Sequence, residues 1–355
     1  MENPSLREDF GTNGTEAWND YEIERALSEP TPGAIAAVKQ LEGDHVVLGA
    51  SGKMGVTLAA MTRRALDAAG KKDARVYGVA RFRAAGPKAV LAGFGVEPIT
   101  CDLGDFDAVM KLPLAANVQY LSGQKFGTES APEGTWHQNT VVPSHVARRF
   151  RQSRIVAFST GCVYPLSPSE GPGANEENPL GFLGEYATTC IGRERIFTYY
   201  SKEFGTKVLL FRLNYSVEFR YGVLADIGLR VLRDEPVDVT VPVANVIWQR
   251  DACARAIQSL LHVASPPTLL NVTGAEKIDV RDVAEIFGSL FGRKPTFRGN
   301  TQSSAWHVDS TRSFELFGPN LTPLRQMIEG VAAYLSAEGR LLGKPTNFQV
   351  LDGRF

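Results

Sequence analysis

The chain has 355 residues, 43% apolar and 22% charged, enough to build a full hydrophobic core for one large domain or two moderate ones. A formal net charge of −1 excludes bulk electrostatic attraction to nucleic acid or to an anionic membrane. Cys101, Cys162, Cys190 and Cys253 stand far apart without metal-type spacing, so no metal site is expected and a reducing, cytoplasmic setting fits.

Residues 1–20 are polar and acidic, lack the apolar core of a signal peptide and read as poorly ordered. No apolar run reaches membrane-spanning length. Residues 21–41 read as helical and packed outside the core, with Thr31 as a cap and Pro32 in the first turn that follows. From His45 a strand–helix alternation begins. Strands are predicted at HVVLG (45–49), RVYGVA (75–80), VEPITC (96–101), NVQYLS (117–122), RIVAFST (154–160) and KVLLFRL (207–213). Helices are predicted at 53–69, 84–93, 138–151 and 184–204. Arg148, Arg149, Arg151 and Arg154 read as a solvated helix end. The alternation implies an α/β fold, a Rossmann-type doubly wound parallel sheet.

After Asn214 the rhythm loosens. Helices are expected at 223–233, 251–263, 279–291 and 323–338, with short strands near 237–241 and 268–272, forming a smaller C-terminal substrate lobe. The division is then an N-terminal extension (1–42), a dinucleotide-binding domain (43–213, with 245–265 returning to it), a substrate lobe (214–244 and 266–345) and a tail (346–355).

The first strand runs into Gly49-Ala50-Ser51-Gly52-Lys53-Met54-Gly55, a G-x-x-G-x-x-G loop opening a helix. Such a loop lets backbone N–H groups approach a pyrophosphate at the helix N-terminus. Gly49, Ser51, Gly52, Lys53, Met54 and Gly55 are therefore candidate cofactor contacts. The second strand leads into Arg81-Phe82-Arg83, where an acid would select NAD. Arg81 would instead pair with a 2′-phosphate, which favours NADP over NAD.

These spacings resemble the extended branch of the short-chain dehydrogenase/reductase superfamily, the NAD-dependent epimerase/dehydratase family, over about residues 43–340. The resemblance implies that Asp102 and Leu103, after the third strand, contact adenine. The stretch Ser122-Gly123-Gln124-Lys125 with Glu129-Ser130 looks like a loop of UDP-galactose 4-epimerases. Asn139 resembles the family's asparagine beside the active site. Ser159-Thr160-Gly161-Cys162-Val163-Tyr164 resembles the motif that gives Thr160 the catalytic hydroxyl. Gly161-Cys162 stand where 4,6-dehydratases carry Asp-Glu, which disfavours that dehydration.

Tyr186 follows as the proton-exchanging tyrosine. Its expected lysine partner, four residues on, is Cys190. A thiol of pKa about 8.5 is mostly neutral at pH 7, and a thiolate would raise the tyrosine pKa. Arg193 lies two turns along the same face. Lys125 is the preferred substitute, with a cation near the cofactor phosphates as its other role. In the substrate lobe, Asn214 and Arg250 are the candidate substrate contacts, Arg250 for an anionic group.

The reading is an NAD(P)-dependent oxidoreductase or epimerase acting on a secondary alcohol or ketone of a sugar-like substrate. The alternative, prompted by Cys190, is a catalytically silent dinucleotide-binding sensor. A homodimer is common among such relatives.

Overall fold

A computed structural model describes residues 19–344 and 346–353. The expectation for residues 1–18 lies outside them. Seven strands form one parallel sheet: β1 (His45–Leu48), β2 (Val76–Ala80), β3 (Glu97–Thr100), β4 (Asn117–Tyr120), β5 (Arg154–Thr160), β6 (Lys207–Leu213) and β7 (Thr268–Val272). Their order is β7-β6-β5-β4-β1-β2-β3. The chain reverses its winding at β1, which pairs with both β2 and β4. Such a switch point opens a crevice at the strand C-termini. The six strands read in the sequence are present. β7, expected in the smaller lobe, instead joins the main sheet in parallel register with β6.

Helices cover both faces. On one side α1 (Asp20–Leu27), α2 (Pro32–Gln40) and α3 (Lys53–Ala68) precede the later α7 (Gln249–Gln258). Val38, Leu58 and Met61 pack there with Ile257 against Val156 and Phe211. On the other side α4 (Val142–Arg149) and α5 (Gly184–Phe204) bury Val146, Phe150 and Phe197 against Val46, Leu48 and Leu210. A second core gathers α6 (Val223–Leu232), α8 (Val280–Phe291) and α9 (Leu324–Ser336) around Ile227, Phe287 and Ile328.

The N-terminal helices are built into the fold rather than laid on its outside. Thr31 caps α2, its hydroxyl accepting from Ala34 N at 3.2 Å. Ile23 and Leu27 of α1 are fully buried in the second core. Glu24 accepts from Thr57 Oγ1 and from Arg220 Nη2, each at 2.6 Å. A buried carboxylate requires such partners, and here they tie α1 to both α3 and the smaller lobe.

Candidate active site

Two adjoining recesses lie at the strand C-termini. The first is a groove of about 340 Å³ lined by Gly49, Ser51, Gly52, Arg81, Asp102 and Leu103 among others. α3 begins at Gly52 with no side chain capping it. Helix N-termini left this way present unpaired N–H groups to an anion. A Cβ on Gly55 would stand 2.3 Å from Gly49 O, so the helix can approach the strand end only with glycine there. The loop and groove thus fit the adenosine and pyrophosphate of a dinucleotide. Arg81 and Asp102 face each other at 4.0 Å, both about half exposed.

The second recess, also about 340 Å³, shares Gly123 and Lys344 with the groove. Thr160, Tyr186, Lys125, Lys53, Asn214 and Tyr221 are on its wall. β5 delivers Thr160 at its C-terminal end, and the first turn of α5 delivers Tyr186. The two hydroxyls are hydrogen-bonded. Thr160 Oγ1 also accepts from Cys162 N at 3.2 Å, which fixes its rotamer toward the cavity.

Burial, with the Cys190 and Cys162 thiols, holds the Tyr186 phenol well above its ordinary pKa, while Arg193 and Thr160 oppose the rise. Cys190 is fully buried and hydrogen-bonded to Tyr186, and burial pushes its thiol up to about 11. It is therefore a neutral neighbour at pH 7.

The cation behind the phenol is Arg193. Helical side chains lean back toward the N-terminus, so a long residue two turns along reaches the level a shorter residue occupies one turn earlier. Cys190 leaves room for it. Arg193 donates from Nη1 to Phe158 O at 3.0 Å and from Nη2 to Asn139 Oδ1 at 2.6 Å. The loop after β4 crosses it so closely that a Cβ on Gly123 would lie 2.3 Å from Nη2. Lys125 enters from that loop and interacts electrostatically with Cys162 and Cys190; burial lowers its pKa.

Other candidates are placed differently. Lys53, in the glycine loop, turns away from the groove and lines the second recess with Met54. Asn139 sits behind the wall. It accepts from Gln124 N at 2.9 Å as well as from Arg193, and donates to Gln124 O at 3.0 Å and Thr189 Oγ1 at 2.9 Å. All its hydrogen-bonding capacity is used, so its place is that of an organiser of the Lys125 loop rather than a substrate contact. Arg250 is off the cavity wall, its Nε donating to Glu29 O at 3.0 Å beside the N-terminal helices. Asn214 does reach the wall, steadied by donation to Asn245 Oδ1 at 2.7 Å. No motif pointed to Lys344, which the C-terminal segment brings to both recesses. Among the described residues no group of His, Cys, Asp or Glu is arranged to hold a metal, and no helix is long and apolar enough to cross a membrane.

The parallel sheet, the glycine loop and the paired Tyr186 and Thr160 match the layout expected of an extended short-chain dehydrogenase/reductase. The model of the NAD dependent epimerase/dehydratase family matches residues 45–219 of the chain. Among solved structures it is similar to the UDP-glucose 4-epimerase of Thermus thermophilus in complex with NAD, at 19% identity and a TM-score of 0.67, over 82% of this chain and 99% of that one. It is also similar to MoeE5 in complex with UDP-glucose and NAD, at 19% identity and a TM-score of 0.65, over 83% and 99%. A tyrosine-to-phenylalanine variant of UDP-glucuronic acid 4-epimerase from Bacillus cereus is similar at 15% identity and a TM-score of 0.66, over 82% and 99%. No curated protein is significantly similar in sequence.

Proposed function

We propose that the protein is an NAD(P)-dependent oxidoreductase or epimerase acting on a secondary alcohol or ketone of a sugar-like substrate. The observation that carries this reading is the hydrogen-bonded Tyr186–Thr160 pair on the wall of a cavity that adjoins the glycine-loop groove. The family, and the NAD and UDP-sugar complexes of the similar structures, support it. The nicotinamide, when bound, supplies the hydride acceptor or donor. Tyr186 takes the proton from the substrate hydroxyl in oxidation and returns it in reduction. Thr160 holds the same oxygen. Asn214, at the end of the neighbouring strand beside Thr160, positions the substrate. Purified protein, assayed with sugars, nucleotide sugars and sugar acids for cofactor absorbance changes, tests the reading. Tight nucleotide binding without turnover on any of them would favour a silent sensor.

Two cations divide the work of the absent lysine. Arg193 favours the phenolate from the helix side, and Lys125 offsets developing charge from the loop side. Lys125→Met is expected to lower kcat by ~10²-fold, the effect of removing one preorganised charge donor. Arg193→Met is expected to move the alkaline limb of the pH–rate profile further up. If Lys125→Met alters only dinucleotide Kd, that lysine belongs to cofactor binding; if the profile is unmoved in Arg193→Met, Arg193 is only a packing residue.

For the cofactor, Arg81 on the groove wall favours NADP. Arg81→Ala is expected to weaken NADP by roughly 10–100-fold, from about 1.5–3 kcal/mol per charge-assisted hydrogen bond, and NAD much less. Equal losses in fluorescence titrations would remove the preference.

A further inference from the structure

A third recess lies apart from the candidate active site, and none of its described lining residues belongs to the groove or to the cavity beside Tyr186. Thr31 and Gly33 at the start of α2 form one side, Asp251 and Arg255 of α7 another, and Asn320 and Leu321 the rim, in the loop after the helix Thr311–Phe317. Its volume of about 130 Å³ is the share of about four waters, which suits a molecule of few heavy atoms.

Two charges meet there without meeting each other. Asp251 and Arg255 are each 3% exposed. They stand one helical turn apart, the spacing at which an acid and an arginine ordinarily pair. Among the described residues no ion pair joins them. Arg255 turns aside instead. Its Nη1 donates to Ser313 Oγ at 2.8 Å and its Nη2 to Gly318 O at 3.0 Å, and the guanidinium stands 4.4 Å from the centre of the Phe314 ring. All three partners are neutral. Asp251 Oδ2 accepts from Thr322 N at 3.0 Å, but its Oδ1 is buried with no hydrogen-bond partner, and so is Asn320 Oδ1. Both charges feel the lack. Burial holds the Asp251 carboxyl above its ordinary range against the bonds from Thr322. Burial pushes the Arg255 guanidinium down to about 10 against the attraction of Asp251. A buried charge without a counter-charge in contact is costly. A lone cation arriving here would suit Asp251 and be repelled by Arg255; a lone anion would do the reverse. A molecule with one charge of each sign offsets both.

We propose that this recess binds a small zwitterion, with its ammonium received by Asp251 Oδ1 and Asn320 Oδ1 and its carboxylate by Arg255. The proposal does not rest on hydride transfer in the other cavity. Its test is calorimetric titration of the full-length protein, free of cofactor and substrate, with glycine, β-alanine, methylammonium and acetate as probes. Glycine or β-alanine, which space their two charges differently, is expected to bind saturably at millimolar concentration. Methylammonium and acetate are expected to bind at least roughly tenfold more weakly, because each leaves one buried charge unmet. Asp251→Asn keeps an acceptor for Thr322 N but carries no charge, and is expected to cost the better zwitterion at least roughly tenfold in affinity. Asn320→Ala, at the rim, is expected to weaken the same probe and gives the reading if Asp251→Asn does not fold. No saturable binding of either zwitterion at millimolar concentration would show that the recess holds only water and would overturn the proposal. Methylammonium binding as tightly as the zwitterion would make this a plain cation site, and acetate doing so a plain anion site; either outcome overturns it, as does zwitterion affinity unchanged in Asp251→Asn.

Discussion

Tyr186→Phe is expected to lower kcat by about 10²–10⁴-fold, the usual worth of a positioned acid–base group, while leaving dinucleotide affinity nearly intact. The ring itself stays useful without its oxygen, because it packs against the buried cluster of Val163, Cys190 and Ile191. The loss is therefore chemical rather than structural, and circular dichroism and Tm should be little changed. The pH dependence gives a second, sharper readout. Burial is the main cause that raises the phenol pKa, and Arg193 and Thr160 pull it down. In the oxidising direction the reactive form is the phenolate. Its fraction grows as pH rises toward the elevated pKa, so the rate should climb from about pH 7 to 10 without a plateau. In the reducing direction the protonated phenol is required, and it is already the dominant form, so the rate should be level over the same range. Tyr186→Phe should flatten the oxidative profile. A wild-type oxidative rate independent of pH in that window would remove Tyr186 as the base.

Most strands were legible because they are short apolar runs buried on both faces, as in HVVL and KVLLFRL, whereas the edge strand β3 is exposed or half-buried along its length. β7 was misplaced because its partner β6 is separated from it by the whole excursion of residues 214–267, and local pattern carries no record of that return. The glycine loop was legible from its place between a strand and a helix, whereas Thr160 and Tyr186 were candidates only through the resemblance of their motifs; the structure brings their hydroxyls together. Arg193 was within reach of sequence reasoning, since the backward lean of helical side chains places its guanidinium near the level of Cys190. Counting turns by Cα position alone put it out of range. Other errors are tertiary. The direction of Lys53 depends on Ser216 and Tyr221, and the position of Lys344 on contacts of the C-terminal segment with Arg220 O and Asp226. Arg250 was drawn away by the docked N-terminal helices, whose packing no periodicity announces.

The largest expected stability effect lies one residue beyond Arg193. Glu194 faces the sheet and accepts from Arg212 at both carboxylate oxygens, 2.9 and 2.7 Å, with Ser159 Oγ donating to it at 2.6 Å. Arg212 also donates to Tyr164 Oη at 2.6 Å, and Tyr164 in turn donates to Asn271 Oδ1 at 2.8 Å. Both charged side chains are almost fully buried. This network fastens the C-terminal ends of β5, β6 and β7 to α5, so it holds Thr160 and Tyr186 in register. Removing one partner leaves the other charge buried alone, which costs about 3–5 kcal/mol. Glu194→Ala is therefore expected to lower the unfolding free energy by that amount in urea titration, and to lower activity through looser placement of the two hydroxyls. Replacing both partners together, Glu194→Leu with Arg212→Met, removes the stranded charge and should recover most of the stability, because the desolvation cost disappears with the pair. It should not recover activity to the same degree, since the link from the strand ends to α5 is gone. If Glu194→Ala is as stable as the wild type, the network contributes nothing net. If the double variant is fully active as well as stable, the register of Thr160 and Tyr186 is set by apolar packing alone.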